Sequence, residues 1–113
     1  MQVKSYTATG PQFSELKAAL TERFTPEESH TGDGFAVLMI EEYEFWRTNS
    51  NMQVTIILES TSENSCLVKL TVGGGASGIF NWTYGSEEKA LQKITREIEE
   101  VFDEFGMTAE GDS

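Results

Sequence analysis

The sequence predicts a two-layer α+β domain: an antiparallel sheet of four to five strands carrying two helices on one face. Three observations point there. Apolar residues recur at helical spacing in two stretches, one near each end of the chain. Between those stretches the apolar period changes to two over three separate runs. At 113 residues the chain has the size of one domain. Residues 1–106 are read as that domain and 107–113 as a flexible C-terminal tail.

Val3 to Thr9 is rich in β-formers but has no clear apolar face, so a first strand there has only local propensity behind it. In the next stretch Leu16, Ala19, Leu20 and Phe24 share a helical face, and Pro26 stops the helix at Thr25. Either Ser14 caps its start or Pro11 occupies its first turn. Phe35 to Arg47 reads as a long extended stretch, with Phe35, Val37 and Met39 leading to Tyr43 and Phe45 on one face. Met52, Val54, Ile56 and Leu58 form the buried face of a second extended run. Cys66, Val68, Leu70 and Val72 form that of a third, and Phe80, Trp82 and Tyr84 that of a fourth. Ser86 is a good N-cap for the last helix, Glu87 to Phe105. Its stripe is Ala90, Leu91, Ile94, Ile98, Val101, Phe102 and Phe105, and Gly106 stands at the C-terminal cap position.

Parity constrains the pairing, because opposed residues of an antiparallel pair share a face. Odd-numbered Tyr43 and Phe45 therefore oppose even-numbered Ile56 and Val54 across an even-length turn at Asn49-Ser50. The following hairpin joins even to even and needs an odd loop, which Ser62-Glu63-Asn64 supplies. A third hairpin runs through Gly73 to Gly75.

Eight Lys and Arg against 19 Asp and Glu leave a net charge of −11. That excludes unaided binding to nucleic-acid phosphates, which needs a basic footprint. The acidity is concentrated in residues 26–60, with seven acidic and one basic, and 86–113, with nine acidic and three basic. Clustered carboxylates can steer a basic partner, but a solubilising surface is the commoner role. The single Cys66 reads as a buried, inert thiol. No apolar run approaches a membrane span and no secretory leader is visible, so the expected location is cytoplasmic, with no membrane partner.

The order strand–helix–four strands–helix resembles the TATA-binding-protein-like and helix-grip folds in topology. The string Ile40 to Asn51 (Ile-Glu-Glu-Tyr-Glu-Phe-Trp-Arg-Thr-Asn-Ser-Asn), with the Gly-Gly-Gly loop and final helix, resembles a family of short bacterial proteins with no assigned function. Neither resemblance implies an activity.

Four features are candidate sites. Gly73, Gly74 and Gly75 expose backbone N–H groups that could cradle an anion, but the loop lacks the Gly-Lys-Ser/Thr ending of a phosphate loop. A plain hairpin loop is the stronger reading. Glu41 falls on the face of Tyr43 and Phe45; buried there, it would be a candidate general acid or base, with Tyr6, Tyr43 or Tyr84 as partner. A bulge turning Glu41 outward avoids that desolvation and is preferred. His30, the only histidine, lies in a polar stretch read as a loop, without the partners of a zinc site or a nucleophilic triad. Finally, Trp46, Ile57, Leu67 and Ile79 point away from the helices, joined by Leu38 and Ile40 or by their odd-numbered neighbours depending on that bulge, and could form an apolar patch for a second copy.

The expected function is a non-enzymatic interaction domain forming a homodimer through its open sheet face, with no cofactor or metal. One alternative is a helix-grip-like binder of a small apolar ligand, lined by Phe45, Phe80, Trp82, Phe102 and Phe105. The other is a small enzyme using Glu41 with a tyrosine.

Overall fold

The computed structural model describes residues 2–10, 12–42, 52–74 and 86–112. In chain order these form β1 (Gln2–Thr9), α1 (Phe13–Phe24), β2 (Glu28–Gly32), β3 (Phe35–Glu42), β4 (Met52–Ser62), β5 (Ser65–Gly74), α2 (Ser86–Glu104) and β6 (Thr108–Asp112). The six strands make one antiparallel sheet in the order β2-β3-β4-β5-β1-β6. The fold class is α+β as expected, with six strands among the described residues in place of four to five. The fourth extended run, Phe80 to Tyr84, lies outside the described residues, as does the hairpin leading to it beyond Gly74.

The alternation read in β4 and β5 is the buried pattern: Val54, Ile56, Leu58, Cys66, Val68, Leu70 and Val72 are all at 2% exposure or less. They join Leu16, Leu20 and Phe24 of α1 and Ile94, Ile98, Val101 and Phe102 of α2 in a single apolar cluster. In β3, where the sequence leaves open which face turns inward, the even positions do. Ala36, Leu38 and Ile40 are buried, and Phe35 is 37% exposed. Leu38 opposes Ile56 and Ile40 opposes Val54, the partners expected for Tyr43 and Phe45. The last described pair is Glu42 with Met52, a register that differs from the one expected across an even-length turn at Asn49-Ser50. The cause is that both faces of β3 are apolar, so its own sequence does not fix which one turns inward.

The β4–β5 hairpin meets its parity requirement by a different device. Ser60 pairs with Cys66 and Ser62 with Ser65, so Thr61 is an extra residue in β4 and the turn itself is Glu63-Asn64. A bulge supplies the odd residue that a three-residue loop was expected to supply. The Thr61 hydroxyl donates to Ser65 Oγ at 2.9 Å across it.

Two edge strands come from stretches read as irregular. Glu28–Gly32, taken as a loop around His30, is β2, with every residue exposed. It pairs with β3 through the two-residue turn Asp33-Gly34, where Gly34 has φ +77°. Residues 108–112, taken as a frayed tail, are β6 and pair with β1 from Thr9–Thr108 to Ser5–Asp112. Gly106 (φ +66°) ends α2, with its N–H on Asp103 O at 3.2 Å and the Met107 N–H on Phe102 O at 2.9 Å. This paired capping turns the chain back along β1 and buries Met107. At α1 neither Ser14 nor Pro11 is the cap: Gln12 is, and its N–H donates to Glu15 Oε1 at 3.2 Å. Thr25 closes that helix in the left-handed conformation (φ 41°) just before Pro26.

Candidate functional site

Two places on the molecule depart from a plain core-and-surface pattern. The first is the sheet face carrying the odd-numbered residues of β1, β3, β4 and β5. Register makes its rows explicit. Gly32, Phe35, Glu59, Leu67, Thr7 and Glu110 lie side by side, and His30, Val37, Ile57, Lys69, Ser5 and Asp112 form the next row. Phe35, Val37, Met39, Ile57 and Leu67 are therefore neighbours on three adjacent strands. Phe35 is exposed and the other four are half-buried. The Phe35 ring stacks 5.8 Å from that of His30 and lies across Gly32, where an added Cβ would come within 2.2 Å of it.

Of the expected interface residues, the structure brings Ile57 and Leu67 together on this face; Trp46 and Ile79 lie outside the described residues. Phe35, Val37 and Met39, one of the two sets that could join them, extend the patch. Gly73 and Gly74 are not in a loop but at the end of β5, paired with Gln53 and Met52. A Cβ on Gly73 would meet nothing within 4 Å, and Gly75 and Tyr43 lie outside the described residues. Glu41 pairs with Gln53 in unbroken register, so no bulge interrupts β3 there.

The second place is where the buried face of β1 turns polar. Its even positions are Lys4, Tyr6 and Ala8, and only the last two are buried; Lys4 is half-buried. Facing them from α2 are Thr95 and Glu99, one helical turn apart. The Tyr6 hydroxyl donates to Glu99 Oε2 at 2.9 Å, so the partner of this tyrosine is Glu99 and not Glu41. Its ring meets Phe102 edge-on at 5.3 Å, and Lys4 Nζ lies 5.5 Å from the ring centre. Burial, and then the bonded carboxylate of Glu99, hold the Tyr6 phenol well above its ordinary range. The neighbouring Thr95 Oγ1 is buried and has no hydrogen-bond partner among the described residues.

Two cavities meet at this cluster. One, about 470 Å³, is bounded by Lys4, Tyr6, Glu99, Phe102, Asp103 and Met107 among others. The other, about 320 Å³, is bounded by Lys4, Leu91, Gln92, Thr95, Arg96 and Glu99. Of the residues expected to line an aromatic cavity for an apolar ligand, Phe45, Phe80 and Trp82 lie outside the described residues. Phe102 is buried against Tyr6, and Phe105 is 44% exposed beside a separate cleft between α1 and α2. Cys66 is buried, which pushes its thiol up and makes it a poor nucleophile. Among the described residues no three His, Cys, Asp or Glu side chains converge as metal ligands, and no helix is long and apolar enough to cross a membrane. Comparison with protein families, with curated proteins and with solved structures finds no match.

A raised phenol pKa has a definite sign for stability. The folded state favours the neutral phenol, so Tyr6 stabilises fully below the ordinary phenol pKa of about 10 and loses that contribution as pH rises beyond it. Between pH 9 and 11 the melting temperature is expected to fall, and to fall less in Tyr6→Phe. The difference between absorbance titrations of the folded wild type and Tyr6→Phe should show the Tyr6 phenol ionising above the ordinary phenol range.

Proposed function

We propose that this chain is a two-layer interaction domain, with both helices on one side of the sheet and the opposite, odd-numbered face docking a second copy. The observation that carries the reading is the side-by-side placement of Phe35, Val37, Met39, Ile57 and Leu67 on β3, β4 and β5. Apolar residues scattered singly are ordinary on a surface; a contiguous group on adjacent strands is not. By register the face carries Glu28, Glu41, Glu59, Glu110 and Asp112 against Lys69 among the described residues, so two docked copies repel each other through their charges. A second copy is the simplest occupant, because a two-fold axis sets the apolar patch against itself.

Area sets the strength. Six strands about 4.8 Å apart, each contributing about five residues at about 3.4 Å, span roughly 29 by 17 Å. That is on the order of 500 Å² per copy, at the lower limit for a specific interface. The dimer is therefore weak and concentration-dependent, and mutual repulsion of the two acidic chains makes it tighten as salt screens their charge. Sedimentation velocity from 10 µM to 1 mM should show dimer growing in with concentration, more readily at 0.5 M than at 0.05 M NaCl. Ile57→Asp should remain monomeric throughout while keeping its circular dichroism spectrum. A wild-type chain that stays monomeric at 1 mM in high salt overturns the reading.

A further inference from the structure

We propose that the cleft between β1 and α2, about 320 Å³ and bounded by Lys4, Leu91, Gln92, Thr95, Arg96 and Glu99, is a binding site for a free α-amino acid, held through both of its charges.

The argument begins with what is out of place. An even position of β1 is a core position, yet Lys4 occupies it, half-buried and on the helix side of the sheet. This chain has more than two acidic residues for every basic one, and its exposed Arg23 is paired with both Glu97 and Glu100. Lys4 and Arg96 have no carboxylate partner among the described residues, and both border the same cleft. Beside them is the Thr95 hydroxyl, buried and without a hydrogen-bond partner among the described residues. A buried polar group in that state is what a ligand completes. The Gln92 amide adds two further donors. One side of the cleft is thus a set of donors suited to a carboxylate.

The opposite requirement comes from Glu99. Its Oε2 accepts the Tyr6 hydroxyl, which fixes the carboxylate at the cleft wall and leaves Oε1 to accept from a ligand ammonium. Leu91 supplies the apolar wall for a side chain. The volume, at the small end of ligand sites, suits a molecule of amino-acid size.

Overall charge selects the zwitterion over other anions. A phosphate or dicarboxylate approaches a protein of charge −11 against long-range repulsion and meets Glu99 on arrival. A zwitterion carries no net charge through the first stage and pairs with Glu99 in the second. The site is separate from the sheet face proposed for dimerisation, so loss of either leaves the other testable.

Proton–nitrogen correlation spectra of the full chain, recorded with each proteinogenic α-amino acid in turn up to 10 mM, test this. At least one should give saturable shifts confined to amides around Lys4 and residues 91–99, with dissociation constants between micromolar and low millimolar. For that amino acid, the N-acetyl derivative and the methyl ester, each lacking one charge, should bind at least tenfold more weakly. Lys4→Met and Arg96→Gln should each weaken binding about tenfold without changing the melting temperature by more than a few degrees. Glu99→Gln should weaken the amino acid but not the N-acetyl derivative. No saturable shift with any amino acid overturns the site. An N-acetyl derivative that binds as tightly as its parent overturns the role of Glu99 and the choice of a zwitterion.

Discussion

Leu70→Ala is expected to lower the unfolding free energy by about 3 kcal/mol and the melting temperature by roughly 12 °C. Leu70 is fully buried near the middle of β5, between Ile56 of β4 and Lys4 of β1, beneath the apolar stripe of α2. The sheet cannot shift to fill the space, because β5 is held on both sides by its neighbours: β4 from Met52 to Ser62 and β1 from Gln2 to Thr9. Removing three carbons there forfeits both the transfer of apolar surface and the packing of those left behind. A drop of that size is a large part of the roughly 5–15 kcal/mol that holds a domain together. On the outward face of the same strand, Leu67→Ala should cost under about 1 kcal/mol, since Leu67 is only half-buried. Chemical denaturation of the two variants side by side checks the assignment of faces. Equal losses would mean that the buried parity of β5 is wrong.

That parity was legible in the sequence because β4 and β5 alternate cleanly, with polar or mixed residues on their odd positions. Strand β3 was not legible in the same way. Phe35, Val37 and Met39 are as apolar as Ala36, Leu38 and Ile40, so the strand's own sequence leaves its inward face open. What decides is pairing with β4, which puts Leu38 on Ile56 and Ile40 on Val54, and pairing is a long-range fact. The odd positions of β3, Glu41 among them, take the outer face without the bulge that the sequence reading preferred. Both edge strands were missed for a related reason. Glu28–Gly32 and Thr108–Asp112 have little apolar content, and each is a strand because a longer strand beside it offers its free edge. For β2 a local signal existed: Asp33-Gly34 directly before Phe35 is a good hairpin turn. For β6 there was only Gly106, read correctly as a helix cap without following where the chain goes after it.

The polar cluster was half visible. Lys4 and Tyr6 interrupt the even face of β1, which is why that strand looked unconvincing as a core element. Glu99 lies with Glu97, Glu100, Asp103 and Glu104 in the acidic stretch 86–113, for which a solubilising surface is the commoner role, and nothing local separates it from them. Its role follows from the 93 residues of chain that bring α2 back against β1. A departure from the expected pattern on one element matters more when a second departure faces it.

Ending the chain after Gly106 is expected to cost about 3 kcal/mol or more, where removal of a frayed tail would cost under about 0.5. Three losses add. Met107 is 8% exposed and belongs to the apolar cluster, so its removal alone is worth about 2 kcal/mol, which Met107→Ala measures separately. Its N–H closes the helix cap on Phe102 O, so the last turn of α2 loses a bond. The ladder with β1 goes as well, and with it the Ala8–Ala109 pair beside the core. Denaturant midpoints of the full and shortened chains decide between the strand and the tail. The truncation also has an effect that reaches Tyr6. That residue pairs with Gly111, and Met107 walls the cavity at its ring, so without them water reaches the phenol from the β6 side. Burial is the largest cause of its raised pKa, and the phenol should then titrate closer to its ordinary value. A shortened chain whose tyrosine titration matches the full-length curve would show that Glu99, and not β6, keeps Tyr6 neutral.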